Sequence, residues 1–309
     1  MKNYLLIPTI ANSRADIATS WRLANSAKGY LPGLMLVIQG GIKGVTENVE
    51  KQRQNLQVLV AEYREIPLVV MLGNMPIEEM DFYHNTERAL GHVKIGIDFV
   101  KSLFIGGRRI VTFHLNTLIP QSEFMSFDSL KSEKIFDEKI APALLEASRY
   151  AVQNNVELKV ETVPSPEFGD ISIEDEKKYL GTKLRNLRNP YLIYKNAPIC
   201  NFEKLRSLGL GICLDICHHR TLDVDLLEEV KNLLSDDLVH LNDGSGEFTE
   251  AGDCFKEGVV LGKGDISNLT EIIKELNKKN IGMVLEINET DFVNRPNTIA
   301  SIEYLVQNS

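Results

Sequence analysis

Gly211-Ile212-Cys213-Leu214-Asp215-Ile216-Cys217-His218-His219 is the stretch on which the reading of this chain turns. Leu210 to Leu214 is a short apolar run with the length of a buried strand. It ends in a carboxylate, Asp215, and an imidazole, His218, follows three residues later. Four other strand-like runs also end on a residue able to bind a metal: His114, Glu161, His240 and Glu286. Such endings on consecutive strand–helix units predict a single polar site at one end of a barrel.

Outward from Asp215 the same unit repeats. Upstream apolar runs occupy Tyr4–Pro8, Leu34–Ile38, Leu68–Leu72, Ile110–His114 and Glu157–Glu161, and downstream ones Leu238–Asn242 and Ile281–Glu286. Apolar positions at helical spacing predict helices over Ser13–Lys28, Val45–Arg64, His84–Phe104 and Ser132–Asn154, the last with a kink at Pro142. The pattern continues over Asn201–Leu208, Asp223–Leu234, Ser267–Lys279 and Thr298–Val306. The strands read as apolar without alternation, which fits burial on both faces in a parallel sheet. No internal sequence similarity accompanies the period, so a solenoid is not favoured. An open doubly wound sheet is the alternative, but no Gly-x-Gly-x-x-Gly turn follows the first strand. The expected fold is an α/β, (β/α)8 TIM barrel, one domain over residues 1–309. Residues 164–199 break the rhythm with a long connection rich in Pro, Asn and charge, expected to act as a lid. Lys183, Arg185 and Arg188 lie within it, as candidates to bind a substrate phosphate or as a solvated loop face.

Of the 309 residues, 43% are hydrophobic and 25% charged, ordinary proportions for a globular protein. The net charge of −9 disfavours nucleic acid as a partner. No apolar run is long enough to cross a bilayer, and the first residues do not form a secretory signal. A cytoplasmic protein is expected, and a homo-oligomer is compatible with the sequence. Cys200, Cys213, Cys217 and Cys254 form no Cys-x-x-Cys pair and read as buried or incidental thiols in a reduced compartment.

In an α/β barrel the chemistry sits at the C-terminal strand ends. That places His114, Glu161, Asp215, His240 and Glu286 on one rim. Three facing carboxylates repel unless a cation lies between them, and imidazole completes a mixed nitrogen and oxygen shell suited to Mn, Co, Zn or Mg. Each residue also has a purely structural reading. Asp215 could cap the following helix, His114 could be a core histidine bonded to backbone, and His240 could orient the Asn242-Asp243-Gly244 turn. His84, His92 and His219 read as solvated or helix-packing.

Several short motifs resemble the xylose isomerase-like TIM barrel superfamily, which includes sugar (phosphate) isomerases and epimerases and AP endonuclease family 2, the endonuclease IV type. They are Ile110-Val-Thr-Phe-His114, Val160-Glu161-Thr162, Leu214-Asp215-Ile-Cys-His218, His240-Leu-Asn-Asp243, Gly262-Lys-Gly-Asp265-Ile266 and Leu285-Glu286. The resemblance covers most of the chain from about residue 85 onward. Its ketose 3-epimerase branch implies one divalent metal held by Glu161, Asp215, His240 and Glu286, with Glu161 and Glu286 also moving the proton. It implies His218 as a contact to substrate oxygens, and His114 is expected behind the ligands or facing the substrate. A metal-dependent sugar or sugar-phosphate isomerase or epimerase, acting on a small carbohydrate by proton transfer alpha to a carbonyl, is the expected function. The endonuclease branch uses an Asp-x-His pair where this chain has Lys256-Glu257-Gly258, and the epimerase branch an arginine near Gly244-Ser-Gly246. AP endonuclease activity and a dehydratase or lyase on a polyol or sugar acid are the alternatives.

Overall fold

In the computed structural model, eight parallel strands close into a barrel in chain order, with β1 paired to both β2 and β8. The structure describes residues 3–9, 13–38, 50–51, 54–55, 67–72, 79–103, 107–117, 129–162, 202–220, 224–244 and 257–309. The strands are β1 (Tyr4–Pro8), β2 (Leu31–Val37), β3 (Leu68–Met71), β4 (Arg109–His114), β5 (Glu157–Glu161), β6 (Gly211–Asp215), β7 (Leu238–Leu241) and β8 (Gly282–Leu285). The described helices are α1 (Arg14–Ser26), α2 (Thr86–Ser102), α3 (Ser129–Ile135), α4 (Ala141–Gln153), α5 (Phe202–Ser207), α6 (Ile216–Arg220), α7 (Leu226–Lys231), α8 (Leu269–Lys279) and α9 (Pro296–Gln307).

The expected (β/α)8 architecture is therefore present, with local differences. The helix read over Val45–Arg64 and the connection at 164–199 lie almost or wholly outside the described residues. The single helix expected over Ser132–Asn154 consists of α3, a π-helical turn at Phe136–Ile140, and α4. Pro142 lies where the π-helical turn passes into α4. α7 is shorter than the Asp223–Leu234 pattern because Asp225 caps it, accepting from the Leu227 and Glu228 amides. The short helix α6, immediately after β6, has no counterpart in the sequence pattern.

The strand repeat of two sorts side chains between two buried regions. Leu5, Ile7, Leu34, Leu36, Val111 and Phe113 face outward and pack under the helices. Leu6, Met35, Val69, Ile110, Cys213 and Val284 fill the barrel interior. β5 alternates: Glu157, Lys159 and Glu161 share one face and Leu158 and Val160 the other. Its polar face points into the barrel, since Lys159 and Glu161 are fully buried while Leu158 and Val160 belong to the outer core. Gly211 pairs with Lys159 and leaves the space that the ammonium group needs, because a Cβ there would meet Nζ at 3.0 Å.

Candidate metal centre

Register brings the strand-end residues together. His114 pairs with Glu161 across β4 and β5, and Asp215 with His240 across β6 and β7. Glu286 follows β8 directly, its amide donating to the Leu241 carbonyl. His240 Nδ1 lies 3.1 Å from Glu161 Oε1, 3.1 Å from Glu286 Oε2 and 3.9 Å from Asp215 Oδ2. One donor atom from each of these residues falls within 4.8 Å of the others. Donors around a divalent cation at about 2.0–2.2 Å sit roughly 3–3.5 Å from one another, so this spacing fits a cation.

The donors are also left wanting. Glu161 Oε1 and Oε2, His240 Nδ1 and Nε2, and His114 Nε2 are sealed from solvent, and none meets an aligned hydrogen-bond partner among the described residues. Buried polar atoms are normally satisfied, and leaving one unpaired costs roughly 1–3 kcal/mol. Such a group of atoms at one point marks a site built for something else. His114 Nε2 approaches Glu161 Oε1 at 2.9 Å, so this nitrogen faces a carboxylate.

Burial would raise the Glu161 carboxyl, but His114 and His240 beside it outweigh that and hold it well below the usual range. Burial pushes Asp215 up to about 7, with Glu257 and Glu286 adding to the rise and His218 opposing it. Burial acts to lower His240, yet the Glu161 and Glu286 carboxylates around it drive its pKa well above the ordinary value. The Cys213 thiol is pushed up to about 11 by burial, so it stays protonated beneath the centre.

Sequence reasoning missed what holds these groups. Thr162 Oγ1 accepts from the Asp215 amide at 2.9 Å, and Asn242 Nδ2 donates to Asp215 Oδ2 at 3.2 Å. Both residues stand one position past a strand end, which is the signal that could have found them. The His218 amide donates to Asp215 Oδ1 at 2.7 Å, so Asp215 also caps α6, the structural role the sequence allowed it. The Asn242-Asp243-Gly244 turn is held by Asp243 and not by His240: its carboxylate accepts from the Gly244, Gly262 and Gly264 amides. His218 is buried in α6, with Nδ1 2.7 Å from the Thr162 carbonyl and Nε2 3.0 Å from Glu257 Oε2. Glu257 is a further residue that the sequence left without a role.

The remaining candidates lie elsewhere. His92 is buried on α2, 3.4 Å from Glu79, and His219 is buried on α6, 3.5 Å from Glu229. Both are helix-packing groups; neither is solvated. His84 is half exposed, with Nδ1 2.7 Å from Asp81. Lys183, Arg185, Arg188, Cys200 and Cys254 lie outside the described residues, while Cys213 and Cys217 are buried free thiols.

No protein-family model and no curated protein sequence matches this chain. Solved structures do. The chain is similar over its whole length to 97% of a D-tagatose 3-epimerase-like protein, at 19% identity and a TM-score of 0.60. It covers 96% of an IolI protein with a bound zinc atom, at 15% identity and a TM-score of 0.56, and all of this chain aligns. A D-allulose 3-epimerase from Methylomonas sp., solved with D-allulose, aligns with all of this chain and 98% of its own, at 12% identity and a TM-score of 0.59. The fold is that of the xylose isomerase-like TIM barrels.

Proposed function

We propose that this chain is a divalent-metal-dependent isomerase or epimerase of a small carbohydrate, working by proton transfer at the carbon next to a carbonyl. The observation that carries this reading is the convergence of sealed, unpartnered donor atoms of Glu161 and His240 with Asp215 and Glu286. The shared fold with sugar epimerases supports it. Glu161, Asp215, His240 and Glu286 would hold the cation, which supplies Lewis acidity toward a carbonyl and a neighbouring hydroxyl.

The chain's own groups do the rest. Glu161 reaches the centre from β5 and Glu286 from the end of β8, each with one oxygen against His240 Nδ1. Each keeps a second carboxylate oxygen with which to take or return a proton. A base on one face of the carbon and an acid on the other invert its configuration. His114 steadies the charge on Glu161 from outside the ligand group. Thr162 and Asn242 fix Asp215 in orientation. The closed apolar interior beneath, including Val284 and Leu238, keeps water from entering from below.

The test is metal analysis together with exchange of substrate protons into deuterated solvent, using D-allulose as probe. Wild type is expected to carry a divalent cation and to exchange a substrate proton. The Glu161→Gln, Glu286→Gln pair is expected to lose both. Unchanged metal content and exchange in that pair would refute the proposal.

A further inference from the structure

Glu257 belongs to none of the strand ends, yet the fold delivers its carboxylate to the mouth. Its backbone is tied at two points. Asn288, two residues past Glu286, donates its side-chain amide to the Glu257 carbonyl and its backbone amide to the Gly258 carbonyl, both at 2.7 Å. Val259 pairs with Asp243 at the end of β7 through reciprocal backbone bonds. Gly258 makes the turn between these anchors with a positive φ, and a Cβ there would collide with the Asn288 side chain. Held in this way, Glu257 crosses the end of β7 and places Oε2 3.0 Å from His218 Nε2. Donor atoms of Asp215, His218 and Glu257 fall within 4.8 Å of one another, so the carboxylate stands directly beside the proposed ligand group, with which it shares Asp215.

Both ring nitrogens of His218 face protein oxygens. The Thr162 carbonyl only accepts, so Nδ1 carries its hydrogen toward it, at 2.7 Å. Nε2, the nitrogen left over for a contact to substrate oxygens, faces Glu257 instead. Glu257 is not used up in return. Oε2 is sealed, while 34% of the side chain stays open to solvent. His218 Nε2 approaches Oε2 as an ion pair at 3.0 Å without an aligned hydrogen bond, and a carboxylate has two oxygens with roughly four acceptor positions, so acceptor capacity remains.

We propose that Glu257, and not His218, is the group that meets substrate hydroxyls on the β6–β8 side of the mouth, and that His218 is the positioning residue that holds it. This inference rests on the carbohydrate reading of the site given above. A carboxylate wall accepts hydrogen bonds from hydroxyls and repels an anionic substituent placed against it. The site therefore selects at Glu257 for a hydroxyl-bearing carbon, and the preference resides in a residue outside the strand-end pattern.

The experiment is calorimetric binding of D-allulose to the Mn²⁺-loaded full chain, for wild type, Glu257→Ala, His218→Asn and the double variant, with manganese content measured for each. Wild type is expected to bind the sugar. Glu257→Ala is expected to weaken it about tenfold or more, as for loss of a charged hydrogen bond, with metal content unchanged. His218→Asn weakens binding by no more than that, and the double variant is no worse than Glu257→Ala alone, because His218 acts only through Glu257. Glu257→Gln, which keeps one acceptor oxygen and the shape, is expected to recover part of the loss. Undiminished binding in Glu257→Ala, or a His218→Asn loss that persists in the Glu257→Ala background, would overturn the inference while leaving the metal-dependent reading standing. Failure of metal-loaded wild type to bind D-allulose counts against the carbohydrate reading itself, and this inference falls with it.

Discussion

The two ends of β5 carry the same kind of residue in opposite circumstances. At its start, Glu157 receives two hydrogen bonds from Arg108, at 2.7 and 2.5 Å, and one from Lys159 at 3.0 Å. Lys159 Nζ also donates to the Asp236 carbonyl at 2.6 Å. Burial works to raise the Glu157 carboxyl, but the Arg108 bonds and the Lys159 charge outweigh it and hold the group below its ordinary value. At the other end, Glu161 shares its space with Asp215 and Glu286, meets the imidazoles of His114 and His240, and among the described residues leaves both oxygens without an aligned partner. Among the described residues, charge at the base of the barrel is matched by the chain; at the mouth it is not. An inward-facing carboxylate is thus no sign of a site in itself. The mismatch is the sign.

The comparison can be broken most severely at the mouth. The Glu161→Gln, Glu286→Gln pair should reduce proton exchange by about 10³-fold or more, within the range expected for loss of acid–base groups, and should lower bound metal. Matching substitutions at the base should leave metal content alone and cost stability. Lys159→Met keeps the aliphatic stem and removes the ammonium from a fully buried position. Glu157 retains Arg108 and is partly open to solvent, so the cost stays at about 2 kcal/mol, read as a drop in melting temperature of roughly 5 °C.

Acidity sharpens the contrast with a smaller effect. Asp215, raised to about 7 chiefly by burial, must lose its proton to bind a cation. Protons therefore compete with metal as pH falls through that value. Metal affinity measured by titration should weaken by roughly tenfold between pH 8 and pH 6. Glu157 moves the other way: its folded pKa lies below the ordinary 4.5, so its contribution to stability is present above that value and lost only as pH falls beneath it. The smallest expected change is a gain. Glu286→Gln removes one carboxylate from a like-charged group and should stabilise the metal-free protein by about 1 kcal/mol in thermal unfolding, while weakening metal binding.

Much of this site was legible in the sequence because barrel topology is regular. A strand repeat of two and an inward-facing C-terminal residue are enough to bring Glu161, Asp215, His240 and Glu286 together once the strands are placed. His114 followed the same rule, although its position against Glu161 needed coordinates. Lys159 was not legible as buried: Glu157–Glu161 was read with the other strands as lacking alternation, whereas its polar residues share one face, which closure of the barrel turns inward. Glu257 was invisible for a different reason. Its placement depends on the positive φ of Gly258 and on bonds to Asn288 and Asp243, contacts between residues far apart in the chain. α6 escaped notice because five residues are too few to show a helical period.

The most direct measurement is a crystal structure of manganese-soaked protein with anomalous diffraction collected at the manganese edge. One anomalous peak per chain is expected at the mouth, ligated by Glu161, Asp215, His240 and Glu286, with Lys159 and Glu157 unchanged at the base. No peak there, or a peak coordinated elsewhere in the chain, would contradict the claim that unmatched charge at the mouth marks a metal centre.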